Sequence, residues 1–442
     1  MLIVGDGDGG SRGRAAVLRP GGRDRHRQED DHGHDPGAQR HSQGRPAAGD
    51  PGVGTTRREL LALADWLRAW QVEKAGMEST SDYWKPVYFL LEREGLDCTL
   101  YHASQVKALP GRPKTDKLDS AWLAKITERG SLAGSFVPPE EIRRLRTHTR
   151  YRRKLVQMRT AQKERCEKLL EDAHLKLSPV ISDIHGVSGR DMLRAVAAGE
   201  RNPRVLAEMA RGVMRGKIRR LEEALDCSFF TEEHAFILTM MLDSIDQLTA
   251  RVAVLDEKIA AMCEPYERQI AQLDAVPGFG VTTAQDLIAE IGIDMSVFPT
   301  AGHLASWARQ TPRVAESAGK RKGRNATGRG NPYIGGALGE ASVSVGRTQT
   351  FLGAKYRRLN THMPKKKAQV AIMRTQLVIA HALLSAPAAE YQDLGPDYYE
   401  RRADTRRRAR GHARALERLG YKVTLQAPDP ETGEYLPIAT AS

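Results

Sequence analysis

From Thr55 onward, apolar residues recur regularly enough to assign elements. In RRELLALADWLRAW, residues 57 to 70, Leu60, Leu63, Leu67 and Trp70 stand three and four apart, the spacing of one helical face. QVEKAGME, 71 to 78, is short and bounded, which predicts a strand. YWKPVYFLLEREG, 83 to 95, predicts a helix with Pro86 in its first turn, where a missing N–H is tolerated. CTLYHA, 98 to 103, predicts a second strand, and TDKLDSAWLAKITERG, 115 to 130, a helix with Thr115 as N-cap and Gly130 just past its end. Helix, strand, helix, strand, helix implies parallel strands joined by crossovers, hence an α/β domain.

A long basic helix is expected over 138 to 173. Pro138, Pro139, Glu140 and Glu141 suit its start, and Leu155, Met158, Gln162, Cys166 and Leu169 share a face. In a second helical segment, Ile245, Leu248, Val252, Leu255, Ile259 and Met262 alternate spacings of three and four, the signature of a coiled coil. Periodicity leaves open whether the two helices pair within one chain or between chains. Residues 5 to 52 differ in kind: they contain no aromatic residue and no sustained apolar period, so disorder is expected there. Their Arg, Gly, Pro, His and Asp mixture also resembles a GC-rich gene translated out of frame. His32 and His34 lack further ligands and read as linker residues.

Charge narrows the partners. A formal net charge of +13 over 442 residues points to an acidic partner, nucleic acid or an anionic surface. No apolar run suggests a bilayer span and no signal-peptide core is seen, so a soluble cytoplasmic protein is expected. Cys98, Cys166, Cys227 and Cys263 are far apart and read as reduced, partly buried thiols rather than a disulfide framework or zinc site.

Three stretches carry candidate chemistry. Asp116 and Asp119 stand at i and i+3 of a helix start, and Glu78 ends the first predicted strand, where α/β sheets place functional groups. Converging carboxylates repel unless a hard cation such as Mg²⁺ neutralises them, and such a cation can assist phosphodiester displacement. The alternative is a pair of first-turn acids favoured by the helix dipole. LDAVPGFGVTTAQDLIAEIG, 273 to 292, has the form of a helix-hairpin-helix in which Gly278, Gly280 and Thr282 bring backbone N–H groups to a phosphate; an ordinary interhelical turn is equally consistent. In RVAESAGKRKGRNATGRGNPYIGGAL, 313 to 338, Ser317 precedes Lys320, Arg321, Lys322, Arg324 and Arg329. A serine hydroxyl needs such cations, a base or a metal to act as a nucleophile; otherwise the loop only grips phosphate. Lys365 to Lys367 and Arg406 to Arg410 extend the basic footprint.

Together, GMESTSDYWKPVYFLLE, VKALPGRPKTDKLDSAWLAKI, GSFVPPEEIRRLRTHTRYRRKLVQMRT, VPGFGVTTAQDLIAEIG, and ESAGKRKGR followed by GNPYI resemble the insertion sequence 110/116/902 transposases. The resemblance implies an α/β RNase H-like (RuvC-like) domain with a four-acid DEDD metal site, a helical coiled-coil connector, and a mostly α-helical Tnp domain with a nucleophilic serine. By motif, Glu78 is the second acid, Asp116 and Asp119 are the third and fourth, and Ser317 is the nucleophile. Implied partners are element ends, target DNA, a structured guide RNA and further copies of the chain, as a dimer or tetramer, on the bacterial nucleoid.

The expected organisation is 1–53 disordered, 54–135 RNase H-like, 136–270 connector, 271–390 Tnp domain and 391–442 a basic tail. An RNase H-like core opens with three antiparallel strands, the first bearing the first acid. MLIVG can begin a strand with Asp6 or Asp8 after it, but no second or third strand is visible and a Gly-rich coil cannot fix a ligand. The domain is therefore expected to lack its first strands and its first acid. Expected activity is metal-assisted DNA strand cleavage and exchange, lost if the missing first acid is essential, with a non-catalytic nucleic-acid-binding remnant or an oligomerising scaffold as alternatives.

Overall fold

A computed structural model of the chain describes residues 2–5, 16–18, 54–79, 81–109, 116–312, 316–317, 319–321, 327–328, 330–402 and 405–426. Over 2–5, 16–18, 116–121, 316–317, 321 and 405–408 it describes the backbone alone. The chain divides into two compact units, Met1–Val137 and Pro138–Ser442.

The first unit is built on a four-stranded sheet of β1 (Leu2–Gly5), β2 (Ala16–Leu18), β3 (Lys74–Ser79) and β4 (Asp97–His102), in the order β2-β1-β3-β4. Its helices are α1 (Arg57–Ala69), α2 (Trp84–Arg93), α3 (Ala103–Ala108) and α4 (Asp116–Glu128). A capping box starts α1: the Thr56 hydroxyl accepts from the Glu59 N–H, and the Thr56 N–H donates to the Glu59 carboxylate at 3.1 Å. Leu60, Leu63, Ala64 and Leu67 of α1 then bury against Ala75 and Met77 of β3 and against Tyr88 and Leu91 of α2. Strand side chains alternate between faces, so Gly76 faces the other way. A Cβ there would run into Thr127 of α4, and the missing side chain lets α4 lie close on the sheet. The unit is thus three layers, with α1 and α2 on one face of β3 and α4 on the other.

β3 and β4 are parallel, as the alternation predicts, with Lys74 opposite Asp97 and Glu78 opposite Tyr101. β1 falls where MLIVG can begin a strand, and β2 corrects the expectation that no second strand precedes α1. They pair antiparallel to each other, Ile3 opposite Val17. Each is a run of only three or four residues dominated by apolar types, too short to show a period. β1 is also antiparallel to β3, with Leu2 opposite Met77 and Gly5 opposite Lys74. Apart from β1 and β2, the expected disorder over 1–53 and the His32–His34 pair fall outside the described residues, as does Thr115; Gly130 takes the left-handed φ of 57° expected past a helix end.

In the second unit, α5 (Glu140–Asp172) packs along α9 (Glu232–Cys263). Arg152 meets Asp256, Arg159 meets Thr249 and His234 meets Asp172, so the helices run antiparallel within one chain. Leu155, Leu248 and Val252 close the seam, each contributing about 1.5–3 kcal/mol by burial. Met158, expected in that face, is instead 47% exposed. Between them α6 (Val187–Ala197), α7 (Pro203–Glu208) and α8 (Ile218–Ala224) form a helical knot, whose core joins Met192, Leu206 and Leu221 to Leu170 of α5 and Leu238 of α9.

The remainder comprises α10 (Glu267–Asp274), α11 (Val281–Ile291), α12 (Ala301–Trp307), a hairpin of β5 (Glu316–Ser317) and β6 (Lys320–Arg321), α13 (Pro332–Val345), α14 (Phe351–Asn360), α15 (Lys365–Ser385), α16 (Tyr398–Arg401) and α17 (Thr405–Arg418). At its centre is α15, against which α10, α12, α13 and α14 pack. It is long and apolar enough to cross a membrane by length and composition, contrary to the sequence reading, yet Ile372, Leu377 and Ala380 are buried in this core. Gln272 donates to the Ala389 carbonyl at 2.6 Å, and the segment read as a basic tail begins docked just beyond, where Asp393 accepts the Phe351 N–H that opens α14.

Candidate functional site

Glu78 is the penultimate residue of β3, half-buried at the carboxyl end of the parallel pair. Thr127, near the carboxyl end of α4, lies over Gly76, and Leu123, Ala124 and Ile126 of the same helix share a core cluster with Tyr101 of β4 and Val106 of α3. Asp116 and Asp119 occupy the first turn of α4.

β1 ends beside Lys74, four residues of β3 from Glu78 and about 13 Å away at 3.3 Å per residue. The chain thus leaves β1 at the far end of the sheet; Asp6 and Asp8 lie outside the described residues. Glu78, Asp116 and Asp119 are oxygen donors of the kind a hard divalent cation takes. Among the described residues no group of three His, Cys, Asp or Glu side chains is arranged to hold a metal, and the side chains of Asp116 and Asp119 are not among those described.

Ser317 stands in a hairpin rather than a simple loop. It pairs with Lys320 and Glu316 pairs with Arg321, with Gly319 at φ 72° in the two-residue turn. A bridge between Pro312 and Thr327 continues the antiparallel pairing toward the root. The root is fixed. A Cβ on Gly330 would lie 2.8 Å from Cβ of Arg309, and Asn331 caps α13 by accepting from the N–H groups of Tyr333 at 2.9 Å and Ile334 at 3.4 Å. Lys320 is exposed; Lys322, Arg324 and Arg329 lie outside the described residues.

The P-G-F-G turn links α10 to α11, and its first glycine packs closely against α13. Gly278 has φ 88°, and a Cβ there would lie 2.6 Å from Cγ2 of Val345 and run into the Ala341 carbonyl. The turn is pressed onto α13, and Gln376 of α15 donates to the Pro277 carbonyl at 3.2 Å. Gly280, by contrast, has open space where a Cβ would stand and precedes α11 without a side-chain cap. Thr282 is exposed, and its carbonyl faces Arg152.

Sequence reasoning missed what the arginines of α5 do. Glu290 in α11 is 1% exposed and receives Arg150 bidentately at 2.7 and 2.8 Å, while Asn331 donates to it at 2.6 Å. Arg146 donates to the carbonyls of Ala289 and Glu290, and its burial pulls its guanidinium down to about 10. Arg152 pairs with Asp286 at 2.6 Å. Burial raises the Asp286 carboxyl above the usual range, although Arg152 opposes it. The available signal was an acid inside the apolar run LIAEI, with a matching excess of arginine in RRLRTHTRYRR. The thiols are as expected: burial pushes Cys98 up to about 12 and Cys166 and Cys263 to about 11.

Two family models match the chain. One, described as a transposase of the DEDD type, covers residues 40–175, and a second, described as the transposase IS116/IS110/IS902 family, covers residues 270–357. No match was found among curated proteins. The first match implies an RNase H-like fold for the sheet that bears Glu78. The second spans the turn at Gly278, the Ser317 hairpin and the Asn331 cap. Matched by transposase models of one family over the segments that carry Glu78, Asp116, Asp119 and Ser317, the chain belongs to the IS116/IS110/IS902 family of insertion-sequence transposases.

Proposed function

We propose that the chain is a DNA recombinase in which Ser317 is the nucleophile and Glu78, Asp116 and Asp119 form the acidic site. The observation that carries the reading is that separate matches to this transposase family span the acids and the serine. In the step proposed, an ester bond forms between the Ser317 oxygen and a DNA phosphorus as the bond to the leaving sugar oxygen breaks. The hydroxyl proton passes to solvent and the sugar oxygen takes one up. Lys320, Arg321, Lys322, Arg324 and Arg329 neutralise the phosphate, and the anchored root of the hairpin limits how far Ser317 can wander. Glu78, Asp116 and Asp119 would hold Mg²⁺ or a similar ion, which supplies charge stabilisation at the phosphodiester when bound. Gly280 and the open start of α11 support a sequence-independent phosphate contact in a helix-hairpin-helix, with Gly278 serving packing instead. Element ends and target DNA, a structured guide RNA and a dimeric or tetrameric assembly belong to the same proposal.

A second reading, a non-catalytic nucleic-acid-binding remnant, is favoured by the direction of β1, which leads away from Glu78. The scaffold reading loses support because the apolar face of α9 is already spent on α5 of the same chain. Incubating the protein with a plasmid carrying the element ends and Mg²⁺ tests these readings. A covalent protein–DNA adduct is expected, absent from Ser317→Ala and strongly reduced in Glu78→Ala. An adduct surviving Ser317→Ala overturns the nucleophile assignment. Salt-sensitive binding without any cleavage by the unmutated chain leaves the remnant.

A further inference from the structure

Between α14 and α16 lies an open cleft of about 780 Å³, within the size range of small-ligand sites. Arg357, Arg358, Tyr398, Tyr399, Glu400 and Arg402 line it. Tyr398 and Tyr399 meet edge to face with ring centroids 5.2 Å apart, and Phe351 packs behind both, at 4.8 and 5.8 Å. The guanidinium of Arg358 stacks 4.5 Å over Tyr399, and that of Arg402 lies 5.4 Å over Tyr398.

Packing explains why this cluster holds its shape. Asp393 accepts from the N–H groups of Phe351 and Gly395 and from the Tyr391 hydroxyl, which ties the segment leading into α16 to the first turn of α14. Arg357 is anchored by the Thr348 carbonyl at 2.9 Å. Carbonyls orient a guanidinium without cancelling its charge. Among the described residues no carboxylate forms an ion pair with Arg357, Arg358 or Arg402, and Glu400 is the sole acid among the described lining residues. Its neighbour Arg401 is already neutralised by Asp397 at 2.9 Å. Three cations beside two tyrosine rings, in a cleft open to solvent, suit a ligand with both anionic groups and flat faces.

We propose that this cleft binds single-stranded nucleic acid, with bases stacking on the Tyr398 and Tyr399 rings and their guanidinium partners, and phosphates held by Arg357, Arg358 and Arg402. A duplex presents phosphates but keeps its base faces occupied, so the rings would add little to duplex binding. The site lies largely beyond the residues matched by the family models, which end at 357, and it does not depend on Ser317 acting as a nucleophile.

The test is fluorescence anisotropy of the full chain with a labelled oligothymidylate and with a duplex of equal length, at two salt concentrations. Tyr399→Ala and Arg358→Ala should each weaken single-strand binding by about tenfold or more, the scale of losing one stacked base, and duplex binding by less than about twofold. Changing Lys365, Lys366 and Lys367 to alanine together should weaken both ligands alike, as a diffuse charge effect does. Single-strand affinity unchanged in Tyr399→Ala overturns the proposal and leaves the cluster as packing for α16. Because that variant can also loosen α16, photocrosslinking of an iodouracil-substituted oligonucleotide to the unmutated chain is the second measurement. Adducts on the peptide bearing Tyr398 and Tyr399 support the site, and adducts solely elsewhere overturn it. Loss of strand cleavage with intact single-strand binding would count against the recombinase reading alone.

Discussion

Replacing Glu290 with alanine removes the carboxylate on which three elements converge. Arg150 loses both of its 2.7 and 2.8 Å bonds, Asn331 loses its 2.6 Å bond, and Arg146 loses the charge that balances its burial. Breaking one side of a buried ion pair costs about 3–5 kcal/mol, because the partner's charge stays desolvated. The Arg150 side chain is 32% exposed, so water reaches it and the lower end of that range applies. Loosening the Asn331 cap of α13 adds about 1 kcal/mol. The expected loss is therefore about 4 kcal/mol, measured by urea unfolding with the m-value held as a check on two-state behaviour. Glu290→Gln keeps the volume but sets amide donors against donors, and should cost about 2–3 kcal/mol. In a double-variant cycle with Arg150→Met, a coupling above about 1 kcal/mol is expected. Losses below about 1 kcal/mol in both single variants, with no coupling, would refute the network and return the α5 arginines to the pool available for phosphate.

Other outcomes follow from the same geometry. Gly278→Ala should lower stability by more than the roughly 1 kcal/mol of an ordinary glycine replacement, since φ is 88° and the new Cβ meets Ala341 and Val345; an unchanged melting temperature would show that the turn does not press on α13. Cys98, with burial holding its thiol near 12, should react with iodoacetamide at pH 8 on the order of a hundredfold or more slower in the native chain than in urea, and equal rates would mean an open strand. The Asp286 carboxyl is raised in the folded state, so the folded chain binds more protons as pH rises from the unfolded value. Its contribution is present below that value and lost as pH rises through the folded one. The stability of the unmutated chain relative to Asp286→Asn should accordingly fall from pH 3.5 to pH 7, and a rise would reverse the sign of the shift.

How much of this was legible in the sequence varies by element, for physical reasons. α1, β3, α2, β4 and α4 emerge within a few residues of their predicted ends, because amphipathic period and turn chemistry are local. MLIVG shows only that a strand can begin there, and β2 is not legible at all: runs of three or four residues become strands only when another strand supplies their hydrogen-bond partners. The Ser317 hairpin was read as a loop for the same reason, its two-residue strands carrying no period of their own. Sequence placed Asp116 and Asp119 on one helix and Glu78 at a strand end. That α4 lies against the sheet at Gly76 follows from Thr127 standing over that glycine, a contact between residues about 50 apart.

By itself, then, the sequence determined the helices and parallel strands of the α/β unit, the basic character of the chain and the family motifs, since these rest on neighbours along the backbone. Tertiary structure alone decided that α5 pairs with α9 in the same chain, that Gly278 lies tight against α13, that Arg150 and Arg152 are consumed by Glu290 and Asp286, and that β1 runs away from Glu78. Each of those outcomes turns on which distant group fills a space or neutralises a charge. Burial and Coulomb energy depend on separation in space, and sequence spacing does not encode it.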